Sequence, residues 1–400
     1  MSPPLKHVWI DLMPMLPGGA NGGAKHFICQ LLQQLAARNP QANFTAVCQA
    51  ATVPELRAIE ATNLTLKIEG DTDTKGTLEQ KRWLGSRRLA RLHNKIIRRL
   101  TQPPPEIQLL YCPFGVPLIK RSGPATVCTF YDLLVDAYPS FFPAEVQRER
   151  LGHFQRMADS ATKIAAISKF SRDLAIKKGV EKERIQEIPI QISLPIPPDQ
   201  SQSSEKMPPL ALKHQNYFLY PANLWKHKNH ELLFTAFGMA RQQGLNTDMK
   251  LVCSGDGLDR LNELRDIAMG LGLADAIILP GFVTNTTLES LYHHALGVVF
   301  PSLYEGFGMP VIEAMARGIP VACSNTTALQ EVAESGALLF HPGKPQEIAD
   351  ALILISGDAD LRRRLIQQGR IQAKGYQDPC KMADEYWNLF IEAHESRTAQ

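Results

Sequence analysis

The sequence lacks the features that mark several special classes of protein. It contains no run of 18 or more apolar residues, which excludes a transmembrane helix. Its first twenty residues are interrupted by prolines and have no apolar core, so they do not resemble a signal peptide. The net charge is only +3 over 400 residues, too small to indicate a nucleic-acid partner. We therefore expect a soluble cytoplasmic protein that binds no nucleic acid.

Cysteine is also sparse, with seven residues spread along the chain and no C-x-x-C pair. This pattern predicts neither a zinc site nor a disulfide framework, so we expect free thiols and no bound metal. Hydrophobic residues make up 44% and charged residues 21%, which is ordinary for a globular protein. A length of 400 residues corresponds to two or three domains.

Strand-like runs alternate with helical patterns in two blocks, which is typical of parallel sheets built from crossover units. The first block opens with a strand at 7–12, a glycine-rich turn at 17–23 and a helix at about 24–37. Between the blocks, 192–209 is rich in Pro, Ser and Gln and indicates a linker, the alternative being a long loop within one large sheet. A last helix is expected at 381–394. Further strands are expected at 44–48, 108–112, 126–130, 164–167, 217–220, 250–253, 276–279, 297–300, 320–323 and 337–340.

The segment from 75 to 100 has a distinct charge character. It holds nine Lys and Arg residues against a single acidic residue, Glu79, and its apolar residues recur at helical spacing. A basic amphipathic helix of this kind can lie on an anionic membrane surface. The same pattern also describes a solvated helix whose apolar stripe packs on its own domain, and the sequence leaves both readings open.

The most informative stretch runs from 300 to 325. A buried strand at 297–300 is followed by a loop at the carboxyl edge of the sheet, where open α/β folds bind ligands. Gly306 and Gly308 allow a sharp turn, and Pro310 suits the first position of a helix. Glu305 precedes this turn and Glu313 is expected in the first helical turn, so we expect both carboxylates to border one pocket. Carboxylates accept hydrogen bonds from neighbouring hydroxyls, which fits a sugar nucleotide.

A second informative stretch follows the strand at 217–220. Asn229 is expected to cap the next helix, with Lys226 and Lys228 beside its positive end. A bound diphosphate would resolve this unfavourable placement of cations. His227 and His230 are expected to be surface imidazoles rather than ligands or bases. The turn at 17–23 has neither dinucleotide-fold nor phosphate-loop spacing, so by itself it is a weak phosphate signal.

These stretches resemble the nucleotide-binding half of retaining glycosyltransferases of the GT4 family, which have the GT-B fold. The resemblance rests on the E-x7-E pair of Glu305 and Glu313 within 300–325, and on WKHKN (225–229), SGDG (254–257) and LPGFV (279–283). The first block agrees more loosely through the GGA loop, 129–142 and 166–173. The similarity covers nearly the whole chain and is strongest from 217 to 345.

The resemblance implies an α/β protein with parallel sheets in two Rossmann-like domains that face each other across a cleft. The N-terminal acceptor-side domain would occupy 1–191 and a linker 192–216. The C-terminal nucleotide-sugar-binding domain would occupy 217–375. A final helix at 376–400 would cross back onto the first domain.

The resemblance also implies roles for individual residues. Glu313 would bind the ribose hydroxyls, Glu305 the transferred sugar and Lys228 the diphosphate. Gly22 and Gly23 would approach the diphosphate from the other domain, while Phe282 and Val283 would contact the base. The catalytic residues would be Lys228, Glu305, Tyr131 and Asp132. The donor-binding residues would be Gly22, Gly23, Asn223, Lys226, Lys228, Gly255, Phe282, Val283, Glu305, Gly306, Phe307, Gly308, Met309 and Glu313.

Two positions depart from the family pattern. The family usually has an arginine a few residues before its lysine, where this chain has Ala222 and Asn223, and Lys226 is the available substitute. The family commonly has histidine before the aspartate that is Asp132 here, whereas this chain has Tyr131. Tyrosine can donate a hydrogen bond to a sugar hydroxyl but carries no charge.

We therefore expect a retaining, metal-independent hexosyltransferase that needs no cofactor. It would move a mannosyl or similar group from a nucleotide diphosphate sugar to a glycan or lipid-linked glycan in surface polysaccharide synthesis. Catalysis would rest on positioning and on stabilising the charge of the leaving diphosphate. The segment 75–100 suggests a peripheral contact with the inner face of the plasma membrane.

Three alternatives stay open at this point. A metal-dependent glycosyltransferase of the other major fold would use an Asp-x-Asp motif, and 71–73 has that form. A nucleotide-sugar epimerase on the same fold would interconvert sugars without an acceptor. A catalytically degenerate protein would bind the nucleotide sugar and transfer nothing.

Overall fold

The structure is a computed structural model that describes residues 4–18, 21–69, 107–115, 123–194 and 212–398. The basic segment at 75–100 and the Asp-x-Asp motif at 71–73 lie outside the described residues, as does most of the linker. Within the described ranges the strands form one seven-stranded and one six-stranded parallel sheet. Both sheets confirm the predicted α/β architecture.

The N-terminal sheet has the strand order β3-β2-β1-β4-β5-β6-β7, and every neighbouring pair is parallel. Its strands are β1 (His7–Asp11), β2 (Asn43–Cys48), β3 (Leu64–Ile68), β4 (Leu109–Cys112), β5 (Ala125–Phe130), β6 (Lys163–Ala166) and β7 (Ile185–Glu187). Its helices are α1 (Gly23–Arg38), α2 (Val53–Leu56), α3 (Leu134–Ala137), α4 (Ala144–Ser160) and α5 (Lys169–Lys177).

The C-terminal sheet repeats the same doubly wound plan, with the order β10-β9-β8-β11-β12-β13. Its strands are β8 (Tyr217–Pro221), β9 (Lys250–Ser254), β10 (Ile277–Gly281), β11 (Gly297–Phe300), β12 (Val321–Ser324) and β13 (Leu338–Phe340). Its helices are α6 (His230–Gln242), α7 (Leu258–Gly270), α8 (Asn285–His294), α9 (Met309–Ala316), α10 (Ala328–Ala333), α11 (Pro345–Gly357) and α12 (Ala359–Lys374).

The last helix, α13 (Pro379–Thr398), packs on the N-terminal sheet rather than on the sheet that precedes it in the chain. Its Tyr386 stacks edge-on against Tyr111 at 5.7 Å and lies within hydrogen-bond distance, 3.2 Å, of the Thr129 hydroxyl. On its outer face Asp384 accepts two hydrogen bonds from the Arg38 guanidinium. The described helices include none with the length and apolar character that crossing a bilayer requires.

The burial of each strand agrees with its position in the sheet. All four residues of β11 are buried, as expected for a parallel strand covered by helices on both faces. The sequence analysis missed β3 and β7, which lie at the two edges of the N-terminal sheet. The first is only partly buried and the second has three residues, so neither shows the continuous apolar run of an inner strand.

The strand order determines where a ligand can bind. In each sheet the order reverses at the centre, between β1 and β4 and between β8 and β11. Ligands of open α/β sheets bind at the carboxyl ends of the strands beside such reversal points. Because the loops after β5 and β11 touch each other, these edges of the two sheets face one another across the cleft.

Candidate functional site

A buried ion pair lies where the loops after β8 and β11 meet. Lys228 ends a short 3-10 helix (Lys226–Lys228), and its Nζ lies 2.6 Å from Oε1 of Glu305. The two side chains are only 11% and 12% exposed. Lys228 is held further by its carbonyl, which accepts a 2.6 Å hydrogen bond from the Tyr220 hydroxyl. The site therefore contains a fixed cation and a fixed carboxylate at the carboxyl edge of the sheet.

The turn after Glu305 presents backbone donors to the cleft. Glu305 itself donates its N–H to the Thr327 hydroxyl at 3.0 Å. Over the part of the chain that the structure describes, the next four amide groups, at 306–309, have no hydrogen-bond acceptor. They precede and begin α9, so they are unpaired donors at the positive end of a helix. Such a group of donors suits an anion or a set of sugar hydroxyls.

Two details of this turn differ from expectation. The helix begins at Met309, one residue earlier than expected, so Pro310 occupies the second helical position. For the same reason Glu313 lies in the second helical turn and not in the first, and the helix has no acidic residue in its first turn. Gly308, with a φ of 107°, forms the N-cap in the left-handed region, which explains why glycine precedes this helix.

Glu313 is half-buried at the side of α9. Its Oε2 accepts a 3.1 Å hydrogen bond from the Tyr292 hydroxyl, and its carbonyl accepts one from Arg317. Arg317 in turn pairs with Glu289 and lies over the Tyr292 ring. The Glu313 carboxylate is thus held in one orientation, with acceptor capacity left for a further ligand.

Tyr131 and Asp132 follow β5 and come from the opposite domain. The Tyr131 hydroxyl donates to the carbonyl of Pro113 at 2.9 Å, so in this structure it points into its own domain and is not offered to a sugar. Asp132 accepts a hydrogen bond from the N–H of Leu134 at 2.8 Å. Desolvation raises the pKa of Asp132; the hydrogen bond from Leu134 opposes that rise, and the Glu305 carboxylate adds to it.

A cavity of about 160 Å³ opens beside Asp132 in the N-terminal domain. Its walls are mostly apolar, from Phe130, Phe154 and their neighbours, and its charged or titratable lining consists of Tyr131, Asp132, Arg150 and His153. The Arg150 guanidinium lies over the Phe142 ring at 4.8 Å and forms no salt bridge with any described residue. The cavity therefore combines mostly apolar walls with a guanidinium and a carboxylate that form no salt bridge with each other.

The glycines predicted to approach the donor lie close to other residues of the chain, so a side chain at these positions would meet a neighbour. A Cβ added to Gly22 would lie 3.6 Å from Nδ2 of Asn223, and one added to Gly23 would overlap the end of the Met309 side chain. A Cβ on Gly255 would lie 2.1 Å from the carbonyl oxygen of Ala222. The first two contacts cross the domain boundary, so α1 begins directly against the C-terminal domain.

The other predicted donor-binding residues differ in their exposure to solvent. Lys226 is exposed, unlike its neighbour Lys228. Phe282 is 63% exposed and Val283 half-buried at the edge of the C-terminal domain. Phe307 is buried, and its ring packs edge-on against Tyr376 at 5.5 Å. Only its backbone is therefore available to a ligand at the turn.

Three residues of the segment after β8 differ from expectation. His227 and His230 are buried, not exposed, and desolvation lowers the pKa of His227 to about 2 and that of His230 to about 3. Both imidazoles are therefore neutral and part of the core. Asn229 stands at the N-cap position of α6, but its φ is 63° and its side chain caps nothing. Its amide donates instead to the carbonyls of Pro301 and Pro342, and so ties three loops together.

Sequence reasoning did not identify the residues that join the two domains beside this site. Ser168 and Ser171, at the start of α5, donate hydrogen bonds to the carbonyls of Gly306 and Tyr131. Glu331 of α10 accepts the backbone N–H groups of Lys169 and Phe170. The run 166–173 had been noted as part of the resemblance, but nothing in it indicated which atoms of the other domain it would meet.

The family model and the named relatives each match part of the chain. Residues 202–372 match the family model described as "Glycosyl transferases group 1". The O-antigen chain mannosyltransferase B of Escherichia coli is 30% identical over 260 residues, which are 62% of this chain and 66% of that protein. The O-antigen chain mannosyltransferase RfbU of Salmonella typhimurium is 33% identical over 128 residues, or 32% and 35% of the two chains. The chain thus spans less than two thirds of these relatives.

Solved structures resemble the whole chain. Alr3699/HepE of Anabaena, in complex with UDP and glucose, superimposes with a TM-score of 0.71 over 97% of this chain and 100% of its own, at 18% identity. The sucrose-phosphate synthase of Thermosynechococcus elongatus gives a TM-score of 0.74 over 98% and 100%, also at 18% identity. At these identities the similarity shows the fold, which is GT-B.

Proposed function

We propose that this chain, whose residues 202–372 match the glycosyl transferases group 1 family model, moves a hexosyl group from a nucleoside diphosphate sugar to a hydroxyl acceptor. The observation that carries the proposal is the buried Lys228–Glu305 pair beside four consecutive amides that have no acceptor within the described chain. A fixed cation, a fixed carboxylate and free N–H groups match a ligand with an anionic centre and hydroxyl-bearing ends.

In the proposed complex the diphosphate shares Lys228 with Glu305, and the amides of 306–309 bind the donor sugar and the neighbouring phosphate oxygens. Glu305 accepts hydrogen bonds from the sugar hydroxyls, and Glu313, held by Tyr292, accepts those of the ribose. Phe282 and Val283 lie against the base. Lys228 and the start of α9 stabilise the charge that grows on the leaving diphosphate, so the proposed reaction needs no metal ion.

The proposed transfer retains the anomeric configuration. The bond between the anomeric carbon and the diphosphate oxygen breaks, and the acceptor oxygen bonds to that carbon on the same face. The acceptor proton passes to the departing phosphate oxygen, which balances the charge without a protein base. In this scheme the protein contributes positioning and electrostatic stabilisation.

We propose mannose as the transferred hexose and a surface glycan as the product. The support is that two relatives, from Escherichia coli and Salmonella typhimurium, are named O-antigen chain mannosyltransferases. The acceptor is proposed to enter the cavity lined by Asp132, because Asp132 lies beside Gly306 of the turn after Glu305 and the cavity belongs to the domain opposite the donor site. Arg150→Gln should then raise the KM of the acceptor and leave that of the donor unchanged.

Contact with an anionic membrane through 75–100 is a hypothesis from the sequence alone. Sedimentation with vesicles of phosphatidylglycerol and phosphatidylcholine tests it, against neutral vesicles as the control. Binding to the anionic vesicles alone supports a cytoplasmic-face, peripheral location, and failure to sediment with them refutes it.

The experiment that tests the proposed function is a panel of nucleotide sugars, GDP-mannose and UDP-glucose among them, incubated with and without a mannose-terminated acceptor. Release of nucleoside diphosphate that depends on the acceptor supports transfer, and proton NMR of the product reports the anomeric configuration. An epimerised sugar from donor alone would instead support an epimerase. Binding without turnover on any acceptor would support a degenerate binding protein. Insensitivity to chelator is expected.

A further inference from the structure

Two serine hydroxyls connect the N-terminal domain to the turn that follows Glu305. The Ser168 hydroxyl donates to the carbonyl of Gly306 at 2.7 Å. The Ser171 hydroxyl donates to the carbonyl of Tyr131 at 2.5 Å and also lies 3.3 Å from the Gly306 carbonyl. Both serines are buried, at 1% and 0% exposure, so water does not compete for these bonds.

The start of α5 is itself held in place by both domains. Ser168 is its N-cap, and its oxygen accepts the N–H of Ser171 at 3.0 Å. Glu331, from the C-terminal domain, accepts the N–H groups of Lys169 and Phe170 at 2.9 and 2.8 Å. A carboxylate at this end of a helix is favoured by the helix dipole. At this small junction the N-terminal domain therefore supplies the donors, and the C-terminal domain supplies the acceptors.

This junction determines how the next peptide group is oriented. A peptide bond is planar and trans, so a Gly306 carbonyl turned toward Ser168 directs the N–H of Phe307 to the opposite side. That N–H is one of the four amides that find no acceptor in the described residues. Gly306 already lies against Tyr131, since a Cβ added to Gly306 would lie only 2.5 Å from the Tyr131 carbonyl oxygen. The turn therefore has no room to shift toward Tyr131.

From these contacts we infer that Ser168 and Ser171 are positioning residues for the transfer reaction. They orient the turn at 305–309 toward the donor only while the two domains touch, and Glu331 keeps α5 in register with that turn. The inference rests on the proposed function for its catalytic consequence. In the proposed complex Lys228 and Glu313 hold most of the nucleotide and neither contacts the serine pair, so nucleotide affinity should change little when the serines are replaced.

The test compares Ser168→Ala, Ser171→Ala and Ser168→Thr with Ser160→Ala. Ser160 is a matched control, because its hydroxyl also donates to a carbonyl, that of Arg156, on the exposed side of α4. Each alanine change at the junction should lower kcat about five- to tenfold, the value of one buried hydrogen bond used in the transition state. The Kd for nucleoside diphosphate should stay within twofold. Ser168→Thr, which keeps the hydroxyl, should stay close to wild type.

A second readout does not need activity. Amide hydrogen exchange of peptides covering 304–316 should become faster in Ser168→Ala and Ser171→Ala and be unchanged in Ser160→Ala. These peptides lie far along the chain, since the Ser168–Gly306 bond joins residues 138 positions apart. A change there reports the contact itself and not local unfolding of α5.

Three results would decide against the inference or separate it from the proposed function. Wild-type kcat and wild-type exchange in both alanine variants would overturn it. A fall in kcat in Ser168→Ala alone would also overturn it, because Ser171→Ala keeps the backbone cap of α5 and removes the hydroxyl that contacts the carbonyls of Gly306 and Tyr131. If the wild type binds nucleotide sugars but transfers none, the proposed function is refuted, and the exchange result alone then decides whether the serines hold the turn.

Discussion

Glu305→Gln provides a sharp test of the buried pair. It removes the charge opposite Lys228 and keeps the size of the side chain. Breaking a buried ion pair from one side costs about 3–5 kcal/mol, and since both side chains keep 11–12% exposure we expect about 3 kcal/mol. For a domain of this size, that loss corresponds to a fall of about 6–12 °C in Tm.

The anionic ligand should then compensate for the missing carboxylate. In the wild type a diphosphate must share Lys228 with Glu305, whereas in Glu305→Gln the cation has no other partner. At 100 times its Kd a nucleotide adds about 2.7 kcal/mol of stability, and each tenfold gain in affinity adds about 1.4 kcal/mol more at the same concentration. The increase in Tm on adding GDP or UDP should therefore be larger in the variant than in the wild type, measured by differential scanning fluorimetry.

The matched control is Glu392→Gln, which removes the partner of Lys163 on the far side of the N-terminal domain. It loses the same charge and should show the wild-type nucleotide increment. Equal increments in Glu305→Gln and the wild type would refute the argument that Lys228 meets the diphosphate. The double change with Lys228→Met should be more stable than either single change, because no buried charge is then left unpaired.

Three further predictions concern the pH dependence of stability, the close contact at Gly306 and the binding of the ribose. Burial raises the pKa of Asp11 to about 7, so the folded state binds this proton more tightly than the unfolded chain does. The stability that the protonated carboxyl contributes is therefore full below about pH 4 and is lost as the pH rises through 7. Asp11→Asn should flatten that fall and be more stable at pH 8 by on the order of 3 kcal/mol in urea unfolding; parallel curves would contradict this. Gly306→Ala, whose Cβ would meet the Tyr131 carbonyl, should lower kcat at least about tenfold with nucleotide Kd unchanged, and normal turnover would count against the close approach. Glu313→Gln should weaken nucleotide binding about tenfold in calorimetry and bind a 2′-deoxynucleotide no worse than the natural one, so undiminished affinity would rule out the ribose assignment.

The parts of the fold that could be predicted are those dictated by local pattern. The buried strand Gly297–Phe300 was predicted residue for residue because four apolar residues between turn signals allow little else. Edge strand β3 was missed because its half-exposed residues lack that signature. The fold class followed from the alternation of strands and helices, and both sheets confirm it.

The parts of the site that could not be predicted depend on distant residues. Asn229 has the side chain of a capping residue, yet carbonyls 72 and 113 positions away take its amide, and the backbone turns left-handed to allow it. The partner of Lys228 lies 77 positions along the chain, so sequence reasoning assigned both residues to one donor but did not predict that they pair with each other. Glu331 reads as an ordinary first-turn acid, and only the approach of the other domain reveals the two N–H groups that it accepts.

The most direct measurement of the central claim is calorimetric titration of GDP and UDP into the wild-type chain and into Lys228→Met, with no metal added. The account predicts binding of at least one of these nucleotides to the wild type and a loss of about tenfold or more in Lys228→Met, since a charged hydrogen bond to the diphosphate is removed. Equal affinity in the two proteins, or no binding of either nucleotide to the wild type, would contradict it.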